Sequence, residues 1–99
     1  MVTINWTEES LLWLEDIHNY IATENTKAAK KVIHDIYNKV QILQSFPKIG
    51  YIYENEKNDE VRILLYGHYR IAYLIKEDQN IDILGVFHGA LAIERYLCK

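Results

Sequence analysis

Three side chains that could take part in binding or catalysis lie in the last third of the chain: Arg62, Arg70 and His88. They lie within or directly after the apolar runs of residues 61–75 and 81–90. A guanidinium group is planar and always charged, so the two arginines could bind phosphate, a nucleotide or an acidic protein surface. An imidazole could act as a general acid or base near neutral pH. Together these groups could form the start of an active site.

Each of these side chains also has a structural interpretation. Arg62 and Arg70 could lie at the ends of strands and pair with an acid such as Glu60 or Asp82. His88 follows the last apolar run and could be a hydrogen-bonded histidine at the end of a strand. The sequence leaves both interpretations open for all three side chains.

A second set of candidates is aromatic. Tyrosines interleaved with arginines can stack nucleic-acid bases, and the same residue types are enriched where proteins bind proteins. The net charge of −3 argues against a protein that binds nucleic acid without the help of another component. The composition therefore favours protein binding, and the predicted partner contacts are Trp13, Tyr20, Arg62, Tyr69 and Tyr73.

Metal and cofactor chemistry is not expected. The histidines lack an i, i+4 spacing and Cys98 has no second cysteine to join it, so the ligand pattern of a zinc site is missing. The glycines form no phosphate-binding loop, and the serines do not stand in a nucleophile-elbow context.

The elements that must position these residues begin with a predicted strand at 2–6 and two helices. Thr7 is a good N-cap for the first helix, which is expected to end near residues 23–25. Thr26 is the predicted cap of the second helix, and Pro47 its predicted stop. The apolar seam of the second helix steps by four and three residues: Ala29, Ile33, Ile36, Val40 and Leu43.

Three further strands are predicted after the polar segment 51–60, in which residues 55–60 are expected to form a solvated loop. Gly67 and His68 suit a two-residue type II′ turn, which places Arg62 opposite Tyr73 on one face and Arg70 on the other. A bulge at that turn would reverse the relation. The order β-α-α-β-β-β, with a short terminal helix at 93–97, predicts one α+β domain over 1–99. A helical hairpin packs on a small antiparallel sheet that the first strand can join.

Simple features of the sequence predict the cellular compartment of the protein. The single cysteine suits a reducing environment. The N-terminus has no signal-peptide pattern, and no apolar run reaches the ~20 residues of a membrane span. We therefore expect a cytoplasmic protein that does not cross a membrane.

Several segments, taken in order, carry a family resemblance. They are the strand ending at Trp6, the helix with Tyr20-Ile-Ala22, the Ala28-Ala29 helix running to Phe46-Pro-Lys-Ile-Gly50, Val61-Arg62, Gly67-His-Tyr-Arg-Ile-Ala-Tyr73 and Val86-Phe-His-Gly89. Over nearly all 99 residues the chain resembles the RelE/ParE toxin superfamily of type II toxin–antitoxin (plasmid stabilisation) modules, in its ParE branch. The resemblance implies the small α+β fold predicted above.

The resemblance also implies a function and a partner. The partner is a cognate antitoxin whose tail wraps the toxin. ParE-like members block DNA gyrase, whereas RelE-like members cut messenger RNA on the ribosome and would use Arg62, Arg70 and His88. Two departures weaken the nuclease pattern: Ala90 stands where relatives often carry Arg, and residues 51–60 hold only Lys57 against four acids.

A ParE-like toxin that binds a protein target such as gyrase is therefore the first hypothesis, and enzymatic activity is not favoured. The alternatives are a ribosome-dependent mRNA endonuclease and a toxin-like interaction domain without toxicity. Self-association into a homodimer through exposed apolar surface is a further expectation.

Overall fold

A helical hairpin lies on one face of a five-stranded mixed sheet in the computed structural model, which describes residues 2–54, 57 and 59–88. In chain order the elements are β1 (Ile4–Trp6), α1 (Glu8–Ala22), α2 (Thr26–Val40), a short 3₁₀ segment (Gln41–Gln44), β2 (Tyr51–Tyr53), β3 (Glu60–Tyr66), β4 (Tyr69–Ile75) and β5 (Ile81–His88). The predicted α+β architecture is confirmed. The predicted terminal helix at 93–97 and Ala90 lie outside the described residues.

Local capping explains where the helices begin. The hydroxyl oxygen of Thr7 accepts a hydrogen bond from the Ser10 N–H at 3.2 Å, as predicted for the cap of α1. The side-chain oxygen of Asn25 accepts from the Ala28 N–H at 3.0 Å. Asn25 is therefore the cap of α2, and the prediction of Thr26 was wrong by one residue because the amide of Asn25 takes this role.

The second helix ends earlier than predicted. It stops at Val40, and the tighter 3₁₀ segment carries the chain onward before Pro47 is reached. Leu43 lies in this segment and is fully buried. The predicted apolar seam is confirmed in the core, since Ala29, Ile36 and Val40 are fully buried as well.

The sheet differs from the prediction in two respects. Its strand order is β1-β5-β4-β3-β2, and β1 runs parallel to β5 while the other pairs are antiparallel. Nearly the whole chain separates β1 from β5, so no tight turn forces the antiparallel direction. The second difference is β2, a three-residue edge strand in the polar segment where no strand was predicted.

The hairpin of β3 and β4 has the predicted register. Tyr66 pairs with Tyr69 and Arg62 with Tyr73, and Gly67 has a φ of +56° in the two-residue turn. An irregularity lies between β4 and β5, where Ala72 pairs with Gly85 and Tyr73 with Ile83, and so it leaves the turn intact. The face assignment of Arg62 and Arg70 is therefore the predicted one.

Each face of the sheet has its own apolar cluster. Leu64, Ile71 and Tyr73 pack with the helices, whereas Ile63, Ala72 and Phe87 form a smaller cluster on the opposite face. Trp13 of α1 also packs against this smaller cluster. Within the described part of the chain, the helices are too short or too polar to cross a membrane.

Candidate partner-binding site

A groove of about 340 Å³ runs between one flank of α1 and the ends of β4 and β5. Most of its wall is apolar. Its lining residues are Trp13, Asp16, Ile17, Tyr20, Ile21, Tyr69 and His88. We call this surface the α1 groove.

The helix side of the α1 groove is a single stripe. Its five lining positions fall at 13, 16, 17, 20 and 21, the spacing of residues that share one helix face. The Trp13 ring is anchored by an edge-on contact with Phe87, with ring centroids 4.8 Å apart. The Tyr20 side chain is 82% exposed. The stripe therefore combines a fixed aromatic ring with a large ring that projects into solvent.

The sheet side of the α1 groove consists of two neighbours in register. Tyr69 of β4 pairs with His88 of β5, and their rings meet edge-on at 5.7 Å. The ring of His68, in the turn, lies 6.3 Å from that of His88. Aromatic and imidazole rings thus close the groove opposite α1.

The charge of the α1 groove is carried by one acid. Asp16 is the carboxylate among the lining residues, and it stands on the exposed flank of α1. An apolar wall with one carboxylate at its rim suits an amphipathic segment that carries a basic side chain. In the described part of the chain, no group of three or more metal-ligating side chains is placed to hold a metal ion.

Arg62 has a structural role. Its Nε donates to Glu60 Oε2 at 3.1 Å, and its Nη1 donates to the carbonyls of Gly50 at 2.8 Å and Lys48 at 3.1 Å. Its side chain is 14% exposed. Of the two acids considered as partners, Glu60 is the one that Arg62 contacts, and the guanidinium joins the segment before β2 to the sheet.

Tyr73 makes a second connection to the same segment. Its hydroxyl donates to the Pro47 carbonyl at 2.8 Å and accepts from the Gly50 N–H at 3.0 Å. The residue is fully buried, and burial raises the pKa of its hydroxyl above the ordinary value of 10.0. The structure thus places this predicted partner contact in the interior.

The three residues proposed for RNA cleavage are not brought to one point. Arg70 is exposed on the face opposite Arg62, beside Leu65 and Phe87 in the ladder. His88 lies level with Tyr66, four residues further along β3 than Arg62, or about 13 Å of strand. Their spacing therefore differs from that of a compact acid–base site.

Four of the residues that the sequence analysis proposed for binding or catalysis lie together on one surface. Trp13, Tyr20, Tyr69 and His88 share the α1 groove. The sequence argument missed Asp16, Ile17 and Ile21 as part of this surface. The i, i+3, i+4 repeat that starts at Trp13 is the signal that connects them.

Most of the chain matches the model of one protein family. A family model described as the ParE toxin of the type II toxin–antitoxin system parDE matches residues 4–92. A comparison with curated proteins found no match.

Two solved structures share the fold. One is described as a chromosomal ParDE toxin–antitoxin system from P. aeruginosa, at 24% identity and a TM-score of 0.73, covering 89% of this chain and 96% of that one. The other is the RelBE2 toxin–antitoxin complex from Mycobacterium tuberculosis, at 17% identity and a TM-score of 0.60, covering 88% and 96%.

Proposed function

The chain belongs to the ParE toxin family of type II toxin–antitoxin systems, and we propose that the α1 groove is where its cognate antitoxin docks. The supporting observation is the stripe of Trp13, Ile17 and Tyr20 facing Tyr69 and His88. Both structural neighbours are described as toxin–antitoxin systems or complexes, which supports a partner of this kind. An exposed ring such as Tyr20 gains most from being covered by a partner.

The chemistry of the α1 groove specifies the docking segment. An apolar wall of this form accepts a helix or extended segment whose apolar side chains point to one side. A lysine or arginine on that segment would lie against Asp16 at the rim. We therefore propose an amphipathic antitoxin segment with at least one basic residue next to its apolar stripe.

The first test measures antitoxin affinity. The partner to be used is the product of a short reading frame sought directly beside this gene, and its dissociation constant is measured for wild type and two variants. Tyr20→Ala should weaken binding at least tenfold because it removes the exposed anchor. Leu65→Ala is the matched control, since Leu65 is a large apolar residue that is about half exposed and lies on the other face of the sheet. Equal losses in the two variants would contradict docking in the α1 groove.

For the toxic action we propose inhibition of a protein target in the cytoplasm, with DNA gyrase as the first candidate. The acidic net charge and the separation of Arg62, Arg70 and His88 support binding over RNA cleavage. The purified chain should inhibit supercoiling by gyrase, and its induced expression should arrest growth while translation continues. Rapid message cleavage at the ribosome would identify an mRNA endonuclease instead. Normal growth would identify an interaction domain without toxicity.

A further inference from the structure

A second hollow adjoins the α1 groove, at the turn from α1 into α2. Its volume is about 350 Å³, and its lining residues are Tyr20, Ile21, Thr23, Glu24, Asn25 and Ala28. Tyr20 and Ile21 line the α1 groove as well, so the two hollows meet at these residues, and the exposed Tyr20 ring stands between them. We call the second one the turn hollow.

The helical winding of α1 continues into the turn hollow. The Asn25 N–H donates to the Ile21 carbonyl at 3.0 Å, which is the bond from residue i to residue i−4 that an α-helix makes. Residues 23 and 24 therefore follow the path of the helix beyond its last residue. Glu24 stands one turn after Tyr20 on this path, as Asp16 stands one turn before it.

Two carboxylates thus flank the exposed Tyr20 ring. Asp16 lines the α1 groove and Glu24 lines the turn hollow, and both residues are exposed. Among the residues that the structure describes, neither carboxylate forms an ion pair. The helix α1 carries four acids and no lysine or arginine, so its own side chains leave this negative charge unbalanced. Eight positions of helical winding span about 12 Å, which is the separation of the two negative positions along the surface.

We propose that one continuous antitoxin segment crosses Tyr20 and fills both hollows, with one basic side chain against Asp16 and a second against Glu24. This docking extends the one proposed above, on which it rests, by the length of the segment and the spacing of its charges. A separation of about 12 Å corresponds to about four residues of an extended segment or about eight residues of a helix. The part of the segment over the α1 groove is apolar, whereas the part over the turn hollow meets Thr23 and Asn25 and is more polar.

The experiment measures, by titration calorimetry, the affinity of the full chain for the product of the reading frame sought beside this gene. Glu24→Lys replaces an attractive contact by a repulsive one and should raise the dissociation constant about five- to tenfold. Glu77→Lys makes the same charge change at an exposed position just after β4, at the opposite end of that strand from Tyr69, and should change the constant by less than about twofold. Since Asp16 and Glu24 are about 12 Å apart, the fold losses of Asp16→Lys and Glu24→Lys should multiply in the double variant.

A steric variant tests the turn hollow without a change of charge. Ala28→Trp adds a large ring to the wall of the turn hollow and should weaken binding about tenfold, because the ring occupies space that the segment needs. Circular dichroism checks that each variant is folded.

Several outcomes would overturn docking in both hollows. If folded Glu24→Lys and Ala28→Trp bind like Glu77→Lys while Tyr20→Ala still loses affinity, the segment ends at Tyr20, and only docking in the α1 groove stands. Equal losses in Glu24→Lys and Glu77→Lys would assign the effect to the net charge of the chain rather than to a contact in the turn hollow. A double variant no weaker than the weaker single variant would exclude two separate basic contacts. Unchanged affinity in Tyr20→Ala would instead overturn the docking on which this proposal rests.

Discussion

At the scale of single residues, the segment before β2 depends on one buried hydroxyl group. The Tyr73 oxygen is both donor and acceptor, to Pro47 and Gly50, in a place with no solvent to replace either bond. Removing it leaves a buried carbonyl and a buried N–H unpaired, which is more destabilising than removing an exposed bond.

Tyr73→Phe should therefore lower the free energy of unfolding by about 1–3 kcal/mol. Chemical denaturation monitored by circular dichroism measures the change. Tyr20→Phe is the control, because the hydroxyl of that exposed ring stands at the surface and its loss should change stability by less than ~0.5 kcal/mol. Equal stability of the two variants would refute the role given to Tyr73.

The same residue shows what the sequence could not specify. The register that places Arg62 beside Tyr73 follows from the two-residue turn at Gly67, and it was predicted correctly. Apart from the ion pair of Arg62 with Glu60, the bonding partners of both side chains are backbone groups 12 to 26 residues away. No residue type signals such a partner, so arginine and tyrosine in strands suggested surface chemistry instead.

At the scale of elements, α2 is joined to β3 through one carboxylate. Asp35 Oδ2 accepts from Lys31 Nζ at 2.8 Å and from the Tyr66 hydroxyl at 2.9 Å. The hydrogen bond from Lys31, and then that from Tyr66, hold the pKa of Asp35 below its ordinary value of 3.8. The carboxylate is therefore preferred over the neutral acid in the folded state.

A lowered folded-state pKa stabilises the fold above the unfolded pKa and stops doing so as the pH falls through the folded value. The stability difference between wild type and Asp35→Asn should be constant above about pH 5. It should shrink progressively below the ordinary pKa of 3.8. Denaturation at a series of pH values measures it. Tyr66→Phe keeps the hydrogen bond from Lys31 to Asp35 and should lose only part of the pH-dependent stabilisation. A stability difference between wild type and Asp35→Asn that does not change with pH would contradict this linkage.

Elements were predictable where a pattern extends over many residues. The seam of α2 repeats over four turns, and the hairpin of β3 and β4 has a turn that fixes its register. The strand β2 has three residues and is set by pairing with Arg62 and its neighbours, so its own sequence carries little signal. The parallel direction of β1 depends on where the sheet ends, which no local pattern encodes.

At the scale of the whole molecule, the α1 groove and the segment that leads into β2 lie on opposite sides of the sheet order. The α1 groove is formed by α1 and the ends of β4 and β5, whereas β2 is the edge strand at the other end, beyond β3. The exposed side chains of Phe46, Ile49 and Ile52 should therefore stay accessible when the groove is occupied.

The two tryptophans of the chain make this separation measurable. Trp13 lines the α1 groove against Phe87, whereas Trp6 of β1 stacks on Tyr37 with ring centroids 5.9 Å apart. Antitoxin binding should shift the fluorescence of Trp13, because covering an indole ring changes the polarity around it. Trp6→Phe should keep the shift and Trp13→Phe should abolish it. A shift that survives in Trp13→Phe would place the antitoxin elsewhere.

The placement of these two rings gives the protein an intrinsic fluorescence probe of one surface. Trp13 reports on the α1 groove, whereas Trp6 of β1 lies outside the groove lining and should supply a constant emission. Without any added dye, a titration could therefore follow how the chain meets its antitoxin.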